Sequence, residues 1–301
     1  MARYQGIWPA MVTPLDESGE PNLDQVDRLV AWFIEQGVDG LYILGSTGQW
    51  PLLNPDQRQA VAERVVRVAA GRIPVMVHVG AVATGDAVAL ARHAERIGAD
   101  AVSCVGPIYF PARADVVFEH YRQIGAASEL PLFVYHLSLV NQLTLGAAQY
   151  AERLLELPRI AGMKFTDRDL YQFGLIHSHA PGLVLFSGAD EVMCQAALCG
   201  AVGAIGTFYN VWPAACRRAR EAFVAGSFET GRDFMLAFQT AIAEVLESKS
   251  MWSFLRAAIR HKSGIDVGPA RAPLGLLERP WSPADVERIV AQVDGWMPDA
   301  G

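Results

Sequence analysis

Apolar residues in this chain follow two periods that alternate along most of its length. Short apolar runs, closed by Gly, Pro or Asp, have the length and flanks of buried strands. They lie at 6–12 (GIWPAMV), 40–44, 75–79, 101–105, 132–135, from 160 to Lys164, 183–187 and 203–205. Between them apolar positions recur at helical spacing. The first such segment puts Val26, Leu29, Val30, Phe33 and Ile34 on one face, with Asn22 placed to cap it and Gly37 to stop it. Asn54-Pro55 opens the next, with proline at the first helical position, and that helix runs to about residue 70. The pattern predicts further helices over 86–97, 115–127, 145–155, 170–179, 191–199 and 213–223.

The turns GVDG (37–40), GADA (98–101) and GAVG (200–203) resemble one another, each a glycine stop followed by entry into a strand. Strict strand–helix alternation implies a parallel sheet. Eight units in about 210 residues fit an α/β fold of the (β/α)8 barrel type, which takes about 250 residues. An open doubly wound sheet would need fewer strands, and no GxGxxG follows an early strand. After residue 210 the strands cease, and 228–246, 251–260 and 282–293 all read as helices. The expectation is a barrel over 1–225 and a C-terminal helical extension of the same domain over 226–301. Residues 271–280, with Pro273 and Pro280, read as a linker-like loop.

Composition narrows the function. Of 301 residues, 51% are hydrophobic and 19% charged, enough for a sizeable core and against extended disorder. The net charge of −7 gives no bulk attraction for nucleic acid or an anionic membrane. Arg217, Arg218 and Arg220 come nearest to a basic cluster and read as a solvated helix face. Cys104, Cys194, Cys199 and Cys216 show neither CxxC nor Cys/His ligand spacing, so no metal site is expected. They read as small buried hydrophobes in a reducing compartment. The first residues lack the apolar core of a signal peptide, and no apolar run reaches membrane-spanning length. A soluble, cytoplasmic protein is expected.

The chemistry concentrates at the predicted C-terminal ends of strands, where such a barrel carries its catalytic groups. Residues 160–167 read IAGMKFTD, so a lysine, Lys164, ends a run that otherwise suits a strand buried on both faces. Lysine is seldom buried without a partner or a task. An amine withdrawn from water favours its neutral form, which can attack a ketone to form a Schiff base. A lysine reaching along the wall to solvent is the bland alternative. After the second run comes Gly45-Ser46-Thr47-Gly48, whose hydroxyls and backbone N–H groups suit a carboxylate, or form only a glycine turn. The fifth run ends in Tyr135-His136, and the tyrosine can move a proton or simply pack across the mouth. Gly188-Ala189-Asp190-Glu191 follows the seventh run. Its acids can bind a polyhydroxylated ligand or complement a helix dipole. Gly206-Thr207-Phe208-Tyr209-Asn210 follows the eighth. His78, inside the third run, reads as a satisfied core histidine.

Together GSTG, Tyr135, GMKFTD and GAIGTFYN resemble the dihydrodipicolinate synthase / N-acetylneuraminate lyase family, pyruvate-dependent class I aldolases on a (β/α)8 barrel. The resemblance runs from about residue 6 to the C-terminal helices. It implies that Lys164 is the Schiff-base lysine and Tyr135 the proton-shuttling tyrosine, with Ser46 and Thr47 holding the carboxylate. The synthase branch usually has two threonines in that pair. It also usually has an arginine five residues after the tyrosine, where this chain has Val140. KFTDRDLYQ and GADE look more like the lyase branch. That likeness implies that Thr166, Gly188, Asp190, Glu191, Gly206 and Thr207 hold the tail of a sugar acid. Tyr109 matches an aromatic near the site in relatives. Gln49, Trp50 and Ser138 depart from the family pattern at positions expected close to the pocket wall. The implied reaction cleaves a 2-keto-3-deoxy sugar acid, such as N-acetylneuraminate, to pyruvate and a sugar-derived aldehyde, with no metal or organic cofactor. A homotetramer is implied by the same resemblance. A synthase-type condensation, a dehydration through the same imine, and a non-catalytic pyruvate-binding role are the alternatives.

Overall fold

The computed structural model describes residues 3–110, 113–138 and 145–295. Eight parallel strands form one sheet: β1 (Gly6–Pro9), β2 (Leu41–Ile43), β3 (Val75–His78), β4 (Ala101–Val105), β5 (Leu132–Leu137), β6 (Ile160–Thr166), β7 (Val184–Ser187) and β8 (Gly203–Gly206). Each strand from β2 to β7 pairs with the next in sequence, and β8 returns to pair with β1. Ala10, just past β1, bridges to Tyr42 of β2, which brings the two ends of the sheet together into a barrel.

Helices alternate with the strands as the periodicity requires: α1 (Leu23–Glu35), α2 (Pro55–Ala69), α3 (Thr84–Arg96), α4 (Ala114–Gly125), α5 (Ala147–Leu155), α6 (Leu170–His179), α7 (Met193–Leu198) and α8 (Pro213–Val224). The caps are the ones the sequence offers. Asn22 accepts from the Gln25 N–H, and Asn54 and Gln57 form a reciprocal capping box. Gly37, at φ +74°, turns the chain out of α1 into β2.

Two expectations need correction. The helix expected over 191–199 divides into a short 3₁₀ turn, Asp190–Val192, and α7. Asp190 is drawn down against the loop after β8, so the regular helix begins only at Met193. The arginine face of α8 is not wholly solvated either. Arg218 is exposed, but Arg220 is buried against the start of β8, where it donates to the Ala201 carbonyl.

Inside the barrel, Trp8, Tyr42, Met76, Phe133, Phe186 and Ile205 fill the lumen below the C-terminal strand ends. A larger core lies between the strands and the helices. It continues without a break into α9 (Phe228–Glu247), α10 (Met251–Ser263) and α11 (Pro283–Asp294). Trp212 donates to the Val290 carbonyl, and Gln239 to the Glu191 carbonyl, so α11 and α9 are tied to the loops of the barrel. The loop over 271–280 is anchored too. The Arg271 N–H donates to Gln49 Oε1 at 2.8 Å, and its guanidinium donates to the carbonyls of Leu52 and Gly19. The four cysteines are free thiols. Among the described residues no group of acids, histidines and cysteines could hold a metal ion, and no helix is long and apolar enough to cross a membrane.

Candidate active site

Strand register assembles the site. Tyr135 of β5 sits opposite Lys164 of β6, and Lys164 sits opposite Phe186 of β7, so the lysine and both aromatics point to one side of the sheet. Lys164 is only 5% exposed. Its Nζ lies 4.4 Å from the centre of the Tyr135 ring and 4.5 Å from that of Tyr42. Among the described residues it makes no ion pair, so two aromatic faces hold the amine in place of a carboxylate.

Tyr135 is wedged edge-on against Tyr42 and His78, which fixes its ring. Its hydroxyl is 3.5 Å from Ser46 Oγ, the exposed hydroxyl of the GSTG turn. The neighbouring Thr47 is buried, and its hydroxyl meets Thr207 Oγ1 at 2.7 Å. The loops after β2 and β8 are thereby joined across the mouth.

Glycines let these groups approach. A Cβ at Gly188 would stand 1.9 Å from Thr166 Oγ1 and 3.1 Å from Lys164 Cε. The Thr166 hydroxyl is buried and has no hydrogen-bond partner. A Cβ at Gly206 would stand 1.6 Å from Asp190 Oδ1. Asp190 is as buried as the lysine. Its Oδ2 accepts from the Phe208 N–H at 2.7 Å, while Oδ1 has no partner. Burial lifts this carboxyl to about 7, with Glu191 adding to the rise and Lys164 and the backbone donors opposing it. Glu191, only partly buried, pairs with Arg168 at 2.8 Å.

The structure therefore gathers Lys164, Tyr135, Ser46, Thr47, Thr166, Gly188, Asp190, Gly206 and Thr207 around one mouth, with Glu191 at its rim. Tyr109 does not join them. It is 77% exposed on the loop after β4, and its ring packs edge-on against Phe110. Gln49 and Trp50 also prove to be supports rather than lining. Gln49, at φ +60°, turns to Arg271, and Trp50 packs on His78 and Arg58. Ser138 lies beside the site, its hydroxyl 3.5 Å from the Thr166 carbonyl. Val140 lies outside the described residues.

His78 is the satisfied core histidine expected. Nδ1–H donates to the Leu44 carbonyl and Nε2 accepts from the Val105 N–H. Burial, helped by the charges of Arg58 and Lys164, holds it far below the usual histidine range, so it is neutral. Sequence reasoning missed Tyr42, the second ring on the lysine. A tyrosine within the strand Leu41–Ile43 reads as core. Its polar handle is Ser103, whose hydroxyl lies 3.2 Å away, and that pairing cannot be read from spacing.

A parallel eight-stranded barrel with a buried, unpaired lysine among tyrosines and hydroxyls at its C-terminal end has the design of a small-molecule enzyme. Residues 3–292 match the profile of the Dihydrodipicolinate synthetase family, and the chain belongs to that family. It is 32% identical over 280 residues to an N-acetylneuraminate lyase of Escherichia coli K12, covering 93% of this chain and 94% of that one. Among solved structures, the sialic acid aldolase of Ruminococcus gnavus superposes with a TM-score of 0.91 at 26% identity, covering 98% of both chains. The N-acetylneuraminate lyase of Proteus mirabilis does so with a TM-score of 0.85 at 28% identity, covering 97% of this chain and 98% of that one.

Proposed function

We propose that this chain is a pyruvate-dependent class I aldolase that cleaves a 2-keto-3-deoxy sugar acid of the N-acetylneuraminate type. Family membership and the lyase relatives support the class. The observation that carries it in this molecule is the Lys164 amine, buried at the end of β6 with no acid partner and within 4.5 Å of two tyrosine ring centres.

In the reaction Lys164 Nζ adds to the C2 ketone and loses water, giving an iminium that serves as an electron sink. Tyr135 gives its proton to the hydroxyl leaving C2, and the phenolate so formed takes the proton of the C4 hydroxyl. The C3–C4 bond then breaks, releasing an aldehyde and leaving an enamine on the lysine. Protonation of the enamine at C3 and hydrolysis of the imine free pyruvate. Ser46 and Thr47 hold the carboxylate, which fixes the ketone against the amine. Thr166, Asp190, Glu191 and Thr207 meet the hydroxylated tail, with Gly188 and Gly206 leaving room for it. Asp190, near its midpoint at neutral pH, can accept from a hydroxyl or donate to one.

The same family likeness supports a homotetramer, which light scattering would read as four chain masses. The free cysteines support a cytoplasmic setting. The deciding assay offers the enzyme N-acetylneuraminate and shorter keto-deoxy acids and analyses all products. Equal amounts of pyruvate and a sugar aldehyde are expected. A keto acid that loses water but keeps its carbon chain would replace the aldolase with a dehydratase. No turnover of any such acid would overturn the proposal.

A further inference from the structure

His78 is fully buried, so it meets no substrate, yet its contacts join two hydroxyls that the reaction uses. Its Nε2 accepts from the Val105 N–H at 3.2 Å, so the neutral ring carries its proton on Nδ1, which donates to the Leu44 carbonyl at 3.1 Å. Leu44 sits at φ +58°, a left-handed conformation that leucine seldom adopts. That bend turns the chain out of β2 into Gly45-Ser46-Thr47, and the bond from His78 holds its carbonyl. The same imidazole packs edge-on against the Tyr135 ring, with 5.9 Å between ring centres. One buried side chain thus touches both the bend that leads to Ser46 and the ring that carries the Tyr135 hydroxyl. Those two hydroxyls lie 3.5 Å apart.

His78 is itself held firmly. The Trp50 ring packs on it at 5.4 Å, and the Tyr42 ring, which also meets Lys164, at 6.2 Å. The buried Arg58 guanidinium lies 5.3 Å from the centre of the Trp50 ring. It donates to the carbonyls of His78 and Gly80 at 2.8 Å each, which pins the end of β3. A Cβ at Gly80 would stand 2.7 Å from His78 Cε1, so a glycine there leaves the ring its place.

Turning the imidazole would break both of its hydrogen bonds, and a buried group left unpaired is costly. The ring is therefore a fixed wedge rather than an adaptable filler. We propose that His78 is a positioning residue of the reaction, setting the Tyr135 hydroxyl against the turn that carries Ser46; this rests on the aldolase reading. A histidine that only fills the core would lower the melting temperature when replaced and leave the kinetics of the folded enzyme unchanged. A positioning histidine acts through Tyr135 and Ser46, and its loss shows in the steps those two serve.

Steady-state cleavage of the keto-deoxy acid that the wild type turns over fastest, together with borohydride trapping of pyruvate, tests this. His78→Asn keeps a donor in place of Nδ1 and removes the ring from Tyr135. It should lower kcat by about tenfold to hundredfold, the scale of a misplaced catalytic group, and leave half-saturation by pyruvate in the trapping assay unchanged. His78→Phe keeps the ring and removes the donor to Leu44. It should raise that half-saturation about tenfold, because the turn that holds the carboxylate loosens. In a Tyr135→Phe background His78→Asn should cost little more, since residues acting through one hydroxyl do not add. Should a His78 variant fail to melt cooperatively, Trp50→Leu, which removes the ring packed on His78, carries the kcat comparison in both backgrounds. Lower melting temperatures with kcat and trapping unchanged would reduce His78 to packing and overturn the proposal. A fully additive loss in the double variant would do the same. A wild type that neither traps pyruvate nor cleaves any such acid would overturn the aldolase reading and this proposal with it, whereas an active wild type with unaffected variants overturns this proposal alone.

Discussion

Lys164 and Asp190 are the two charged side chains that the mouth of the barrel buries, each 5% exposed. The lysine could be found from sequence because a charged residue inside an apolar strand is conspicuous. The aspartate was a candidate too, from its place after the seventh run and from the family likeness, but its burial was not legible. An acid just past β7 reads equally as a ligand group or as a complement to a helix dipole. Its burial comes from the Phe208 N–H, a donor eighteen positions away that only the closed barrel brings near. That burial has a cost that depends on pH. The folded-state value is about 7, above the ordinary 3.8, so the folded chain holds this proton more tightly than the unfolded chain. The associated stability is full below about pH 4 and is lost as pH rises to about 7, a swing of roughly 4 kcal/mol at most. Asp190→Asn keeps an oxygen for Phe208 and removes the titration. Its melting temperature should gain on the wild type between pH 4 and 7 and hold that gain above. A parallel pair of melting curves would discharge Asp190 of this role. With the sugar acid, the same variant should lose tens-fold or more in kcat/KM while still forming a pyruvate adduct.

The strands and the helices around them were readable because each carries its own period and punctuation. Asn22, the Asn54–Gln57 pair and Gly37 act within a few residues of themselves, so the sequence is sufficient to place them. The loops after the strands were harder to read. Gln49 reaches 222 positions along the chain to Arg271, and Tyr42 needs Ser103. The α8 arginines misled for a related reason. Arginines spaced along a helix suggest solvent, but Arg220 faces the start of β8. Gly206, at the end of β8, offers a direct test of how tightly the loops fit. An added methyl would stand 1.6 Å from Asp190 Oδ1 and 2.8 Å from the Tyr209 ring. Gly206→Ala should therefore cost about 1–3 kcal/mol, the usual penalty for overpacking. Gly182→Ala meets nothing within 4 Å and should sit near wild type. Equal melting temperatures for the two variants would mean that the loop after β8 yields freely.

Barrel and C-terminal helices share one apolar core, from Val26 in α1 to Val293 in α11. We propose that residues 1–225 and 226–301 unfold as one body. Calorimetry of the full chain should give a single transition, and a chain ending at residue 225 should show no cooperative melt. A folded short chain, or two separated transitions, would divide the molecule in two. The proposed function of the whole passes through one nitrogen, Lys164 Nζ. Borohydride reduction in the presence of pyruvate turns its imine into a stable secondary amine. Digestion and mass analysis should then find one pyruvate-derived adduct per chain, on Lys164, and none in Lys164→Ala. An adduct on another lysine, or none on well-folded protein, would contradict the assignment.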